Sequence, residues 1–330
     1  MIVTLTLNPS LDRTLEVGSL RRGAVIRADG ARLDPGGKGV NVTRALLANG
    51  LGSRAVIPCG GPDGEELARL LAADAVPVVA VPIVGRTRSN VTLVEPDGTV
   101  TKVNEPGPAL TRAEFGRVAE AVLGCAGAAD WVVMCGSLPP EVAVDVYAGF
   151  TRQFTAAGIR VAVDTSGPAL LAAAAAGPDL VKPNREELAE AVGGSLDTLP
   201  EVVEAARSLR ALGARAVLAS LGADGAVLVD PDGAVHARGP AIEPRSAVGA
   251  GDALLAGFLA GGGSGTGALA EAVAWGTAAA GLPGSRMPGP GDIHRSGILL
   301  RALPEDRSAD QPEAWPDPGP GQHLVADVER

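Results

Sequence analysis

Val248-Gly249-Ala250-Gly251-Asp252 runs directly into an apolar helical stretch, Ala253–Ala260. Two glycines let a backbone take unusual dihedrals and come close to a ligand. Amides at a helix N-terminus form a ready anion site. A carboxylate placed there repels a phosphate, unless it is aimed at a hydroxyl that must lose its proton beside that phosphate. Phosphoryl transfer to an alcohol needs this combination. Asp252 would be the base, and the amides of Gly249, Ala250 and Gly251 would offset charge on the migrating group. A glycine turn whose Asp252 favours the helix dipole fits the same five residues.

A second glycine run, Asp34-Pro35-Gly36-Gly37-Lys38-Gly39-Val40-Asn41, opens another helical stretch. Its amides and single lysine suit an anionic, polyhydroxyl ligand; a plain glycine loop suits them equally. Lys182-Pro183-Asn184, with Glu187 three residues on, puts Asn184 and Glu187 on one face of a helix start. That suits a hydrated Mg²⁺, or a capped helix with a surface Glu. Gly136-Ser137-Leu138-Pro139 and Ser220-Leu221-Gly222-Ala223-Asp224-Gly225 read either as ligand loops or as turns. Of 28 basic residues only Lys38, Lys102 and Lys182 are lysine, a hint of positions where a compact ammonium differs from a guanidinium fork. No GxxxxGK[ST] and no GxGxxG after a strand occurs, which disfavours P-loop and dinucleotide readings.

Composition narrows the function classes. The 330 residues carry a formal net charge of −10, and half of that excess lies in Leu303–Arg330. No basic stripe is present and only 2% of residues are aromatic, which argues against nucleic acid or an anionic membrane as partner. Cys59, Cys125 and Cys135 form no framework and His236, His294 and His323 no metal spacing. The N-terminus has no basic leader and no 18-residue apolar span occurs. The expectation is a cytoplasmic protein.

These residues need elements to hold them. The pattern predicts strands at 2–7, 55–58, 76–84, 131–134, 159–164, 180–182 and 216–220, with helices at 38–49, 64–73, 111–123, 142–157, 185–192, 200–212, 249–260 and 267–280. Hairpins are expected across Pro96-Asp97-Gly98 and Pro231-Asp232-Gly233, and a flexible loop over 261–267. Alternating β and α elements predict a mostly parallel sheet covered on both faces, with the site beyond the carboxyl ends of its strands. Segments 11–35 and 88–104 break the rhythm and read as short antiparallel strands, a small sheet that could act as a lid. From 303 to 330 an acidic, Pro-rich and disordered tail is expected.

Thr6-Leu7-Asn8-Pro9-Ser10-Leu11-Asp12, the run Gly36–Asn41, Asn104-Glu105-Pro106-Gly107-Pro108, Gly136-Ser137-Leu138-Pro139, Lys182-Pro183-Asn184 and Gly249-Ala250-Gly251-Asp252 occur in this order. Together, over about residues 1–300, they resemble the ribokinase-like (PfkB) sugar kinases, most closely the 1-phosphofructokinase and tagatose-6-phosphate kinase branch. The resemblance implies a three-layer α/β/α sandwich over residues 1–302 with a β-sheet lid, ATP and Mg²⁺, and often a homodimer clasped through the lids. By resemblance Asp252 is the base and the Gly249–Gly251 amides the anion hole. Asp12, Gly36, Gly37 and Asn41 fall where the family holds sugar hydroxyls. Lys38, Arg88, Ser137 and Arg27 are candidates for the substrate phosphate, Arg27 from a partner lid. Lys182 and Asn184, with Ser220, Gly222 and Gly225, match the nucleotide segments, and Glu187 the Mg²⁺ position through water.

Lys38 within Gly36-Gly37-Lys38-Gly39 resembles the 1-phosphate and tagatose-6-phosphate enzymes more than the 6-phosphofructokinase isozyme. The expected reaction is therefore ATP-dependent phosphorylation of D-fructose 1-phosphate. A tagatose-6-phosphate or fructose-6-phosphate kinase is the alternative within the class, and a catalytically weak, sugar-phosphate-binding regulator the alternative outside it. The sequence also departs from the family pattern. Ala247 stands where a Thr is usual, Ala253 often has a Ser counterpart, Glu141 replaces a common Gly, and the stretch 278–285 is a few residues short.

Overall fold

Strand β1 (Ile2–Thr6) is buried along its whole length, as expected of a parallel strand covered on both faces. It is followed by β2 (Ser10–Val17), β3 (Ala28–Gly36) and helix α1 (Lys38–Ala48). Next come β4 (Ser53–Cys59), α2 (Gly61–Ala73), β5 (Val78–Pro82), β6 (Arg88–Val94) and β7 (Val100–Asn104). The middle of the chain gives α3 (Arg112–Ala126), β8 (Trp131–Cys135), α4 (Val146–Ala156), β9 (Arg160–Asp164) and α5 (Gly167–Ala175). It continues with β10 (Leu180–Val181), α6 (Arg185–Val192), α7 (Leu199–Leu212) and β11 (Val217–Ser220). The last elements are β12 (Ala226–Asp230), β13 (Gly233–Arg238), α8 (Ala250–Ala260), α9 (Gly265–Ala280) and β14 (Leu299–Leu303). This computed structural model describes residues 1–304. The tail expected at 303–330 lies outside the described residues except for Leu303, which closes β14, and Pro304.

Seven strands run parallel in the order β11-β10-β9-β8-β1-β4-β5, and β12, β13 and β14 extend the sheet antiparallel at the β11 edge. The period of two sorts the core. Val3, Leu5, Val132 and Met134 face a cluster built with α3, α4, α5, α6 and α7. Trp131, Val133 and Cys135 face the other side, where α1, α8 and α9 pack. This is the expected three-layer α/β/α sandwich. Each fully buried side chain of this kind contributes a few kcal/mol; truncating a Leu to Ala in such a core costs about 2–5 kcal/mol.

The second sheet, β3-β2-β6-β7, covers the carboxyl ends of the parallel strands. Its central pair corrects the antiparallel expectation: β2 and β6 run parallel, with Ser10 opposite Arg88 and Asp12 opposite Asn90. Both strands leave the same edge of the large sheet, after β1 and β5, so they set out in the same direction. No turn joins them to impose a hairpin. Glu114 anchors one of these exits. It completes the Thr111 capping box of α3 and also accepts the Val84 N–H at 2.6 Å.

Two elements lie outside the sequence pattern. The Ala-rich α5 has no polar face to give a period, and β14 pairs only at the sheet edge. α9 begins at Gly265, inside the stretch expected to be a flexible loop. Glu141 takes a left-handed backbone, φ 67°. Among the described residues no helix is long and apolar enough to cross a membrane.

Candidate active site

The floor of the site is the N-terminus of α8. Gly249 caps it at φ 79°, and a Cβ there would meet the Met287 Cε at 2.6 Å. The left-handed dihedral favours glycine here, and a side chain would also have to displace the end of Met287. The first intrahelical bond runs from Ala253 N–H to Gly249 O at 2.8 Å, so the amides before it are free of the helix ladder and point to the cleft. Asp252 sits in this first turn and is buried rather than solvated. Asn41 Nδ2, from the first turn of α1, donates to Asp252 Oδ2 at 2.9 Å. Burial pushes the Asp252 carboxyl up to about 6, and the Asp164 charge adds to the rise. The Asn41 hydrogen bond and the Lys38 and Lys182 ammonium groups oppose it. A carboxyl tuned to that range is suited to take a proton near neutral pH.

Beside Asp252 lies an ionic network whose centre, Asp164, was not anticipated from sequence. Asp164 ends β9 and is fully buried. Its Oδ1 accepts from Lys38 Nζ at 2.6 Å, and Lys182 Nζ lies 3.0 Å from Oδ2. Lys182 is itself 3% exposed, and its Nζ would lie 3.7 Å from a Cβ on Gly251. A second cation therefore backs the anion hole. Burial works against the Asp164 charge, but Lys182 and Lys38 hold its carboxyl below the usual range. The signal available in sequence was an acid at the carboxyl end of a buried strand, where ligands of such sheets bind.

Asn184 and Glu187 form a capping box at the start of α6, with Asn184 Oδ1 accepting the Glu187 N–H at 2.7 Å. This was the plainer of the two readings of that segment. Yet Glu187 is not a surface residue. One carboxylate oxygen caps the helix while the other accepts from Lys38 Nζ at 3.0 Å. Lys38 thus faces two carboxylates, and they hold its ammonium above the ordinary range against burial. Its contacts lie with Asp164 and Glu187, not with the arginine of the lid. Ser220 comes beside this group, bridged to Asn184 across the end of β11. Gly222 and Gly225 bound the short turn that follows.

The opposite wall is the lid. Asp12 of β2 accepts from Ser10 Oγ at 2.7 Å and from Asn90 Nδ2 at 3.0 Å, both on Oδ1. Burial raises its carboxyl pKa, and those two donors restrain the rise. Gly36 is packed against this carboxylate; an added Cβ would lie 2.4 Å from Oδ2. Gly37 then caps α1, which carries Lys38 and Asn41 into the floor. Arg88 of β6 is held by carbonyl oxygens, from Nε to Asn8 O at 3.2 Å and from Nη1 to Glu105 O at 3.1 Å. Ser137, exposed after β8, accepts from Asn8 Nδ2 at 3.3 Å. Arg27 is exposed at the turn before β3 and has no hydrogen bond or ion pair to these residues. Asn8, Asn90 and Asp164 are the members that sequence reasoning missed.

The residues fit a nucleotide-borne divalent ion. Asp164 and Glu187 converge on one ammonium, so two carboxylates already share a position that a cation occupies. Among the described residues no group of three acidic, His or Cys side chains forms a metal cage. Mg²⁺ is commonly held by one or two carboxylates together with phosphate oxygens.

The chain is 42% identical over 260 residues to the 1-phosphofructokinase of Rhodobacter capsulatus, covering 78% of this chain and 82% of that protein. It is 38% identical over 257 residues to the ATP-dependent 6-phosphofructokinase isozyme 2 of Escherichia coli, covering 77% and 83%. A crystal structure of phosphofructokinase-2 from Escherichia coli, in complex with substrates and products, superposes with a TM-score of 0.82 at 36% identity, over 88% of this chain and 96% of that one. The model of the pfkB family of carbohydrate kinases matches residues 6–284. With that match spanning most of the chain, the chain belongs to the pfkB family of carbohydrate kinases.

Proposed function

We propose that the protein transfers the γ-phosphoryl group of ATP to a phosphorylated ketohexose, D-fructose 1-phosphate, giving D-fructose 1,6-bisphosphate. The observation that carries this reading is Asp252: a buried acid with a pKa near 6, oriented by Asn41 at the mouth of a helix N-terminus. A base of that pKa takes the proton of the acceptor's C6 hydroxyl as its oxygen bonds to the γ-phosphorus. The bond to the β–γ bridging oxygen breaks and ADP leaves. The Gly249, Ala250 and Gly251 amides and Lys182 offset charge on the moving group. Lys182, Asn184, Ser220, Gly222 and Gly225 form the nucleotide side. Glu187 would hold Mg²⁺ through water, and the ion when bound would neutralise charge on the phosphates.

The acceptor side is Asp12, Gly36, Gly37 and Asn41 for hydroxyls, with Arg88 and Ser137 for the phosphate. Arg88 fits because carbonyl oxygens orient it and no ion pair fixes its guanidinium, although Asp12 and Glu105 both act on its charge. The contacts of Lys38 speak for a role between Asp164 and Glu187 instead. The choice of fructose 1-phosphate leans on the 1-phosphofructokinase relatives. A fructose 6-phosphate acceptor is the second reading, favoured by the isozyme 2 relative at similar identity. A homodimer through the lids is part of the proposal: Val100 and Val103 of β7 are 50% and 58% exposed, and Arg27 would reach the partner's site. A cytoplasmic setting goes with this chemistry.

The test is ATP-dependent ADP release with Mg²⁺ on fructose 1-phosphate, fructose 6-phosphate, tagatose 6-phosphate and free fructose. A kcat/KM preference of at least about tenfold, equivalent to about 1.4 kcal/mol, is expected for fructose 1-phosphate. A preference for fructose 6-phosphate moves the assignment to the second reading. No turnover with any of the four rejects the proposal.

A further inference from the structure

Asn90 lies directly opposite Asp12 on the parallel ladder of the lid, two residues after Arg88. In a strand, residues two apart share a face, so Arg88, Asn90 and Asp12 face the same way. Asn90 Nδ2 donates to Asp12 Oδ1 and to Ser10 Oγ, both at 3.0 Å. Ser10 Oγ in turn donates to the same Asp12 oxygen at 2.7 Å. An ionised carboxylate only accepts, so this triangle fixes the amide of Asn90 with its nitrogen toward Asp12. Its Oδ1 is then aimed away, is buried, and has no partner. A buried amide oxygen left without a donor costs about 1–3 kcal/mol, and such groups are rare unless something else satisfies them. The missing donor must carry an O–H or N–H.

We infer that Asn90 recognises the acceptor sugar: its Oδ1 accepts a hydrogen bond from a ring hydroxyl, while its Nδ2 holds Asp12 in position. The inference rests on the proposed sugar-phosphate acceptor. It adds a specific acceptor atom to the lid. Arg88 would take the phosphate end, Asp12 and Asn90 adjacent hydroxyls, and Asn41 and Asp252 the reacting end. A site built to bond a hydroxyl rejects the analogue lacking it, because its own polar group is then left unpaired.

The experiment pairs Asn90→Ala with acceptor analogues that each lack one ring hydroxyl. It is run on whichever phosphorylated ketohexose the wild type turns over best. The expected result has three parts. The KM for the acceptor rises at least about tenfold in Asn90→Ala, the KM for ATP stays within about twofold, and the thermal midpoint stays within a few degrees. For one analogue, the wild type loses about tenfold or more in kcat/KM, while Asn90→Ala loses little further. Such non-additivity marks direct contact between the two deleted groups, and a merely structural role would not produce it. Asn90→Asp, which removes the donor and sets a second carboxylate beside Asp12, is expected to bind the acceptor less well than Asn90→Ala. Additive penalties for every analogue, or an unchanged acceptor KM, overturn the inference. A wrong choice of sugar shows up separately, as a wild-type preference for another acceptor.

Discussion

The two walls of the cleft are built by different physics. The floor, at α8 and the ends of β9 and β10, is a buried ionic network in which Asp164 serves Lys38 and Lys182 at once. On the lid wall the charged groups are held by neutral ones: Asp12 by a hydroxyl and an amide, and Arg88 by two carbonyls. The floor residues stand on strands and helices packed on both faces. The lid strand β6 is half-buried at every position. Charge held in a dry, fixed frame is what a transition state needs, and it costs no rearrangement at the moment of reaction. A sheet with one covered face can move to admit a sugar and exclude water afterwards. If, as proposed, the floor carries rate and the lid recognition, substitutions split between kcat and KM.

The largest expected effect is on the floor. Asp252→Asn keeps the fold, because an amide replaces a buried carboxyl of similar shape. It lowers kcat by about 10²–10⁴-fold, the usual cost of losing a positioned base; circular dichroism and single-turnover kinetics check both halves. On the lid, Arg88→Ala raises the acceptor KM by about 10–100-fold, from the loss of roughly 1.5–3 kcal/mol of charged hydrogen bonding. If it lowered kcat as much as Asp252→Asn does, the division between walls would fail.

The pH profile sharpens the same division. Asp252 must be ionised to act, so activity falls as pH drops through about 6. Lys182 lowers that pKa, so Lys182→Met moves the acid limb to higher pH, by roughly one unit if the lost interaction is about 1.4 kcal/mol. Arg88→Ala leaves the limb where it was. An unmoved limb in Lys182→Met would show that the floor cation does not tune the base. The smallest effect lies beside both walls. Glu141 occupies a left-handed backbone that favours glycine, and Glu141→Gly is expected to stabilise the protein by about 1 kcal/mol. Urea unfolding measures it, with kcat and KM unchanged.

Local chemistry made much of this readable before any fold was known. The cap at Asn184 is set by a residue three positions on, and it forms. The Gly249–Asp252 run needs only its own glycines to make an amide-lined helix start. The lid was legible as an interruption of the α/β rhythm. The parallel pairing of β2 and β6 was not, because it joins segments nearly eighty residues apart and no turn sequence encodes it. α5 was hidden by the opposite problem: alanine on every face gives no period to read.

The sequence by itself determined the α/β class and the glycine loops and marked Asp252 as the candidate base, because each is written in the spacing of neighbouring residues. Only the tertiary structure decided their company. Lys38 meets Asp164 across 126 positions, and Asn41 meets Asp252 across 211. The physical reason is that charge-pair and hydrogen-bond energies depend on distance in space. That distance is set where parallel strands end side by side, not by separation along the chain.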